Sequence, residues 1–235
     1  MSVLVLRLAA PLQSWGTSSR FSRRGTDREP SKSGIVGLLA AAMGRKRTDS
    51  IEDLAALRVG VRVDQPGRVE RDFQTARPLD GPPLPLSYRF YLADAVFLAA
   101  VEGDDGVVEE LRDAIRRPVF PLYLGRRSCP PAGPLWVELR SGGVRDALES
   151  VPWQASKRVR EEHGAPTVDL DVVVDCPPDD PRAILVRDEP VSFDPRHRRY
   201  GWRAVIREAV TVETPPVDAS PDRHDPMDVL PRGDG

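Results

Sequence analysis

The residues best equipped for chemistry gather near the start of the chain. Arg20, Arg23, Arg24, Arg28 and Lys32 fall within thirteen positions, with Phe21 among them and Trp15 five residues upstream. The stretch "REPSKSGIVGLLAAAMG" (28–44) reads as the end of a loop running into a helix, with Ser31 as its N-cap. The first turn of a helix leaves backbone N–H groups free and carries partial positive charge, so it attracts anions. Lys32 and the hydroxyls of Ser31 and Ser33 add donors. Three outcomes stand open: a nucleotide phosphate, a nucleic-acid backbone, or a capped helix whose lysine is merely solvated. A second basic stretch, "YLGRRSCPP", offers Tyr123, Arg126 and Arg127. Its Gly125 lets backbone come close to a ligand. Arginines on phosphates, with aromatic rings or guanidinium planes stacking on bases, are the means by which proteins hold single-stranded RNA.

Other chemistries find less support. A phosphate-binding P-loop needs G-x-x-x-x-G-K-[ST]. Here Ser31 replaces the final glycine, Gly25 lies one residue too far upstream, and Pro30 removes an N–H. His163, His197 and His224 are scattered, and the two cysteines, Cys129 and Cys176, are too few for a disulfide framework or a four-cysteine metal site. No metal, cofactor or catalytic triad is expected. Tyr88, Tyr123 and Lys32 are the only candidates for metal-free acid–base work on RNA, and spacing singles out none of them. Cys129 reads as a small packed residue. "FDPRHRRYGWRAV" is basic and aromatic; the preferred reading puts Trp202 in the core, with RNA contact as the other.

These residues must be positioned by elements that hydrophobic periodicity suggests. "SVLVLRLAA" reads as a strand rather than a secretion signal. A twenty-residue loop without periodicity follows, then the helix, with Ile35, Leu38, Leu39 and Ala42 as its buried stripe and Gly44 as C-cap. "SIEDLAAL" reads as a short helix, "RVGVRVD" as a strand, and residues 68–90 as an extended arm with a Pro- and Gly-rich middle. "YRFYLADAVFLAAVE" reads as one buried strand. "DDGVVEELRDAIRRP" reads as a helix burying Val107, Leu111, Ala114 and Ile115, and "LWVEL" as a further strand. The order is compatible with a ferredoxin-like split βαβ unit. Short strands at "VDLDVVVD", "AILVRDEPVSF" and "YGWRAVIREAVTVE" suggest a small β-rich second part over 141–213. The Asp-rich stretch 214–235 reads as disordered.

Composition fits this picture. The 235 residues are 40% hydrophobic and 30% charged, enough for a packed core. No apolar run is long enough to span a membrane, and a reducing, cytoplasmic setting is expected. The net charge of −2 hides an asymmetry: residues 1–47 carry nine Arg and Lys against two acidic residues.

Three stretches together, "LRLAAPLQSWG", "SKSGIVGLLAAAMG" and "PLYLGRRSCPPAGPL", resemble the CasD subunits of Cascade, the type I-E CRISPR surveillance complex. "RDFQTARPL" and "YRFYLADAVF" agree in order and position. The resemblance covers about residues 3–140 well and the remainder weakly. It implies an α+β, RRM-like ferredoxin fold of the RAMP superfamily over 1–140, with an extended β-hairpin thumb at about 64–90. It implies a non-catalytic subunit that binds the 5′ handle of crRNA and caps the backbone filament. Implied partners are CasC and CasA, with CasB and CasE in the same complex, and target DNA through the complex; no membrane is involved. Relatives in another subtype cut RNA, which makes a metal-independent endoribonuclease the alternative. Related chains often carry Tyr-His-Thr at the thumb base, where this chain has Phe73-Gln74-Thr75. Gln cannot exchange a proton near neutral pH. The RNA-binding set expected on this basis is Gln13, Trp15, Arg20, Arg23, Arg24, Arg28, Lys32, Ser33, Gln74, Tyr123, Arg126 and Arg127.

Overall fold

A computed structural model of the chain describes residues 1–17 and 23–216. Arg20, Phe21 and the stretch from 217 onward, His224 included, lie outside the described residues. The first strand, β1 (Ser2–Ala9), is apolar on both faces: Leu4, Leu6 and Leu8 enter one core and Val3 and Val5 the other. Such a strand has to be central and covered on both sides. Short strands β2 (Leu12–Gln13) and β3 (Arg23–Arg24) follow, then helix α1 (Lys32–Ala42) and a four-residue helix α2 (Glu52–Ala55). Next come β4 (Arg58–Gln65), β5 (Arg68–Gln74), β6 (Ser87–Ala93), β7 (Val96–Gly103), α3 (Asp105–Arg116) and β8 (Val137–Ser141). The remainder is α4 (Val144–Ser150), α5 (Lys157–His163), β9 (Thr167–Asp175), β10 (Ile184–Ser192) and β11 (Arg199–Glu213).

Seven strands form one sheet in the order β10-β11-β9-β4-β7-β1-β8, every neighbouring pair antiparallel. Within it, β1-α1-β4 and β7-α3-β8 are two crossovers, each with a foreign strand between its ends. The three C-terminal strands extend the same sheet beyond β4. Helices α1 and α3 cover one face through Ile35, Leu38, Leu39, Val108, Leu111 and Ile115. On the opposite face α4 and Trp153 pack over Val3, Val5, Leu98, Ala100, Val172 and Val174. Each large aliphatic side chain fully buried this way contributes about 1.5–3 kcal/mol.

Several boundaries differ from the sequence reading, each for a local reason. "YRFYLADAVFLAAVE" is two strands, because Asp94 adopts a left-handed conformation (φ 57°) and sends β6 and β7 into different sheets. In α3 the buried stripe runs through Val108, Leu111 and Ile115, while Val107 is exposed. The region after 141 holds α4 and α5 as well as strands; both are too short to show periodicity. Trp202, preferred for the core, is 64% exposed.

The arm is a hairpin. Strand β5 pairs antiparallel with β6 along its whole length, and β3 adds in parallel on the far side of β6. Thr75 Oγ1 donates to the Leu84 carbonyl (2.6 Å) and Leu84 N–H to the Ala76 carbonyl (2.8 Å), closing the hairpin ahead of its Pro- and Gly-rich tip.

Candidate nucleic-acid interface

The helix start that opened the sequence reading holds an anion, and that anion belongs to the chain. Ser31 caps α1, its Oγ accepting from Gly34 N–H (3.2 Å). The free N–H of Lys32 donates to Asp188 Oδ2 on β10 at 2.8 Å. Lys32 Nζ, its side chain 7% exposed, bridges Asp175 (3.3 Å) and Glu189 (3.0 Å). Arg203 completes the cluster by pairing with Asp188 and Asp175. Burial pushes the Glu189 carboxyl above its usual range even though Lys32 pulls the other way. Lys32 and Ser33, expected at the phosphate, therefore lie in the interior. Buried charges persist when paired like this, because desolvation otherwise outweighs what they gain.

Gln13 and Trp15 are also interior. Gln13 Nε2 donates to the Leu8 (3.1 Å) and Ala95 (2.7 Å) carbonyls, and its Oε1 accepts from Trp15 Nε1 (3.0 Å). The Trp15 ring lies so close to Gly34 that a Cβ there would stand 2.7 Å from it. The close approach anticipated at Gly125 occurs, and its partner is backbone: with φ at 88°, an added Cβ would fall 1.8 Å from the Ser14 carbonyl oxygen. Arg126 donates to the carbonyls of Phe90 (3.0 Å), Arg24 (2.7 Å) and Gly25 (3.0 Å) and lies over Tyr91. Ser14 Oγ donates to the Phe90 carbonyl as well (3.1 Å). The Gln-Ser-Trp-Gly stretch, the helix start and the glycine–arginine–cysteine loop thus converge on one junction, where they fix the root of the arm. Cys129 is buried in it, and burial raises its thiol pKa, which suits packing and not nucleophilic attack.

What faces outward is the arm. Residues paired across a sheet share a face. The pairs Phe73–Tyr88, Arg71–Phe90 and Arg23–Tyr88 place two arginines and three aromatic rings on one surface. The Arg23 guanidinium lies 5.0 Å from the centre of the Phe90 ring, and that of Arg71 lies 5.6 Å from the centre of Tyr88. Phe73 is 64% exposed. The other face carries Tyr91, buried under Arg126. Of the remaining expected residues, Arg24, Arg28 and Arg127 are exposed and Tyr123 is half-buried. Gln74 sits at the end of β5, its Nε2 donating to Asp72 (3.2 Å). Arg71, Phe73, Tyr88 and Phe90 were not singled out as binding residues. The alternation in "RVERDF" and "SYRFYL" carries the signal once the two segments are paired. The face of the large sheet away from α1 and α3 is covered by α4 and Trp153, so the arm offers the open platform.

Beside the helix start a cleft of about 500 Å³ is lined by Asp27, Arg28, Glu29, Arg187, Asp188 and Arg207 among others. Arg207 pairs with Glu29 there. Asp27 Oδ2 is buried without a hydrogen-bond partner among the described residues, and burial raises the carboxyl pKa, opposed by hydrogen bonding from Thr17.

The family model described as CRISPR-associated protein (Cas_Cas5) matches residues 3–206. The chain belongs to this family. The match runs past residue 140 into β11, so the C-terminal strands belong to the family region too. Over 157 residues the chain is 36% identical to "CRISPR system Cascade subunit CasD" of Escherichia coli (strain K12), covering 58% of this chain and 70% of that protein. Among solved structures, "Crystal structure of Cas protein" aligns with a TM-score of 0.70 at 38% identity, covering 91% of this chain and all of the other. A chain of "CRISPR RNA-guided surveillance complex" aligns with a TM-score of 0.73 at 34% identity, covering 90% and 91%. Among the described residues no helix is long and apolar enough to cross a membrane.

Proposed function

We propose that this chain is a non-catalytic RNA-binding subunit of a type I-E Cascade surveillance complex, with an RRM-like ferredoxin fold of the RAMP superfamily. In this reading the arm is the thumb, and it holds the 5′ handle of crRNA while the body caps the backbone filament beside CasC and CasA. CasB and CasE belong to the same assembly, target DNA is met through it, and the setting is cytoplasmic. The observation that carries the RNA reading is the outward face of the arm, where Arg23 and Arg71 lie over Phe90 and Tyr88 beside exposed Phe73. Arg24, Arg28, Arg127 and Gln74 stand on the exposed surface where they can add contacts. Lys32, one of the three acid–base candidates of the sequence, is held between two carboxylates, which favours binding over cleavage.

The test is binding of the purified chain to a labelled CRISPR repeat RNA across a salt series in EDTA, with the RNA run on a gel afterwards. Intact RNA and a log–log salt slope of about −0.7 per neutralised phosphate are expected. Replacing Arg23, Arg71 and Arg127 together by Ala should flatten that slope by about 2. An unchanged slope would remove the arm from the interface. A discrete metal-independent cut would replace this reading with the endoribonuclease one.

A further inference from the structure

Strand β10 forms one edge of the large sheet, and its hairpin with β11 turns through a run of basic residues, Arg196, His197, Arg198 and Arg199. Arg196, Arg198 and Arg199 are exposed, and none forms an ion pair with a described residue. Asp194 accepts from the Arg196 backbone N–H within the turn (2.8 Å), and Asp188 and Glu189 hold Arg203 and Lys32. Arg198 lies 5.7 Å from the centre of the Tyr200 ring and 6.0 Å from that of Phe193. Tyr200 and Trp202 alternate along β11 and so project from the same face. Leu185, paired opposite Ala204 and 61% exposed, extends that face beside Trp202.

An indole left 64% exposed forgoes a large burial free energy. Here uncompensated arginines flank the rings, the combination that tracks a polyanionic backbone and stacks its bases. We propose that the β10–β11 hairpin is a second contact for single-stranded nucleic acid, separate from the arm. Trp202 stacks on a base, Arg196 in the turn holds a flanking phosphate, and Arg198 keeps Tyr200 in place beside Trp202. This inference does not depend on handle binding by the arm.

The experiment uses the full chain and labelled twelve-nucleotide oligo-uridine and oligo-thymidine, which lack any handle sequence, across a salt series. The variants are Trp202→Ala, Trp202→Phe and Arg196→Ala, each also combined with Arg71→Ala and Phe73→Ala in the arm. Trp202→Ala should weaken binding roughly tenfold, in the arm-altered background as well, while Trp202→Phe keeps most of the affinity. Arg196→Ala should flatten the salt slope by about 0.7. Loss in the RNA series, the DNA series or both supports the site and names its strand. Wild-type binding by both the tryptophan and arginine variants overturns it, whatever the arm variants do. Absence of binding by the unaltered chain at low salt also overturns it, because the hairpin is exposed without partners.

Discussion

Two regions of this chain bring cations to a site suited to anions, and they end in opposite situations. At the start of α1 the chain closes the site on itself: Asp188 fills the helix terminus and Lys32 is buried between Asp175 and Glu189. On the arm, Arg23 and Arg71 rest on aromatic rings and face outward. The difference lies in what the fold places within reach. Strands β9 and β10 bring three carboxylates to the helix start from more than 140 residues away. The outward face of the arm carries no acidic side chain, because Glu70 and Asp72 alternate onto the opposite face of β5. A cation can therefore serve a ligand only where the topology withholds an internal carboxylate.

The largest effect that could break this contrast is at Lys32. Lys32→Met leaves Glu189 and part of Asp175 uncompensated in the interior, a loss of about 3–5 kcal/mol. A urea titration should show a much lower midpoint, while the protein that remains folded binds repeat RNA within twofold of the unaltered chain. A variant of unchanged stability with lost RNA affinity would make the helix start a ligand site and erase the distinction.

That outcome also measures how far the sequence could be read. The capped helix, its Ile35–Leu38–Leu39–Ala42 stripe, the first strand and the existence of the arm were legible, because each rests on local periodicity or a local cap. The destination of Lys32 was not, since Asp175, Asp188 and Glu189 are distant in sequence and meet it only through the order of the sheet. For the same reason Gln13, Trp15 and Gly125 read as ligand-facing. Their types suit a ligand, and only the fold shows that the carbonyls of Leu8, Ala95 and Ser14 take those places. The arm shows the converse. Phe73 and Tyr88 lie fifteen residues apart, and the register of one hairpin turns two unremarkable segments into a continuous surface.

A smaller effect, on binding alone, is expected on the arm. Phe73→Ala removes an exposed ring that no core residue depends on, so the unfolding free energy from a urea titration should stay within about 0.5 kcal/mol of the unaltered chain. Loss of one stacked base should weaken repeat RNA by about 1–3 kcal/mol. The pair Lys32→Met and Phe73→Ala then separates stability from affinity in opposite directions. Equal affinity after Phe73→Ala, with Arg71→Ala also silent, would leave the outward face without a role.

The smallest effect lies between the two regions, at Asp27 in the cleft beside Arg28. Its Oδ2 is an internal carboxylate oxygen without a hydrogen-bond partner among the described residues, unlike Asp188 in the same cleft lining. Burial holds the folded carboxyl above its unfolded value of about 3.8, with Glu29 and Asp188 pushing the same way and Thr17 opposing. A carboxyl that binds its proton more tightly when folded favours the fold at low pH, and that contribution is lost as pH rises from the unfolded value through the raised folded one. At neutral pH the ionised group is therefore a net cost. Asp27→Asn removes the charge and keeps the shape, so it should stabilise the chain by about 1 kcal/mol at pH 7. The gain should shrink toward pH 3, where the native carboxyl is protonated as well. Urea midpoints at the two pH values measure both numbers. An Asn variant less stable at pH 7 would mean that the carboxylate is held by a cation of the cleft, with Arg28 the nearest in sequence, and would move Asp27 into the class of Asp188.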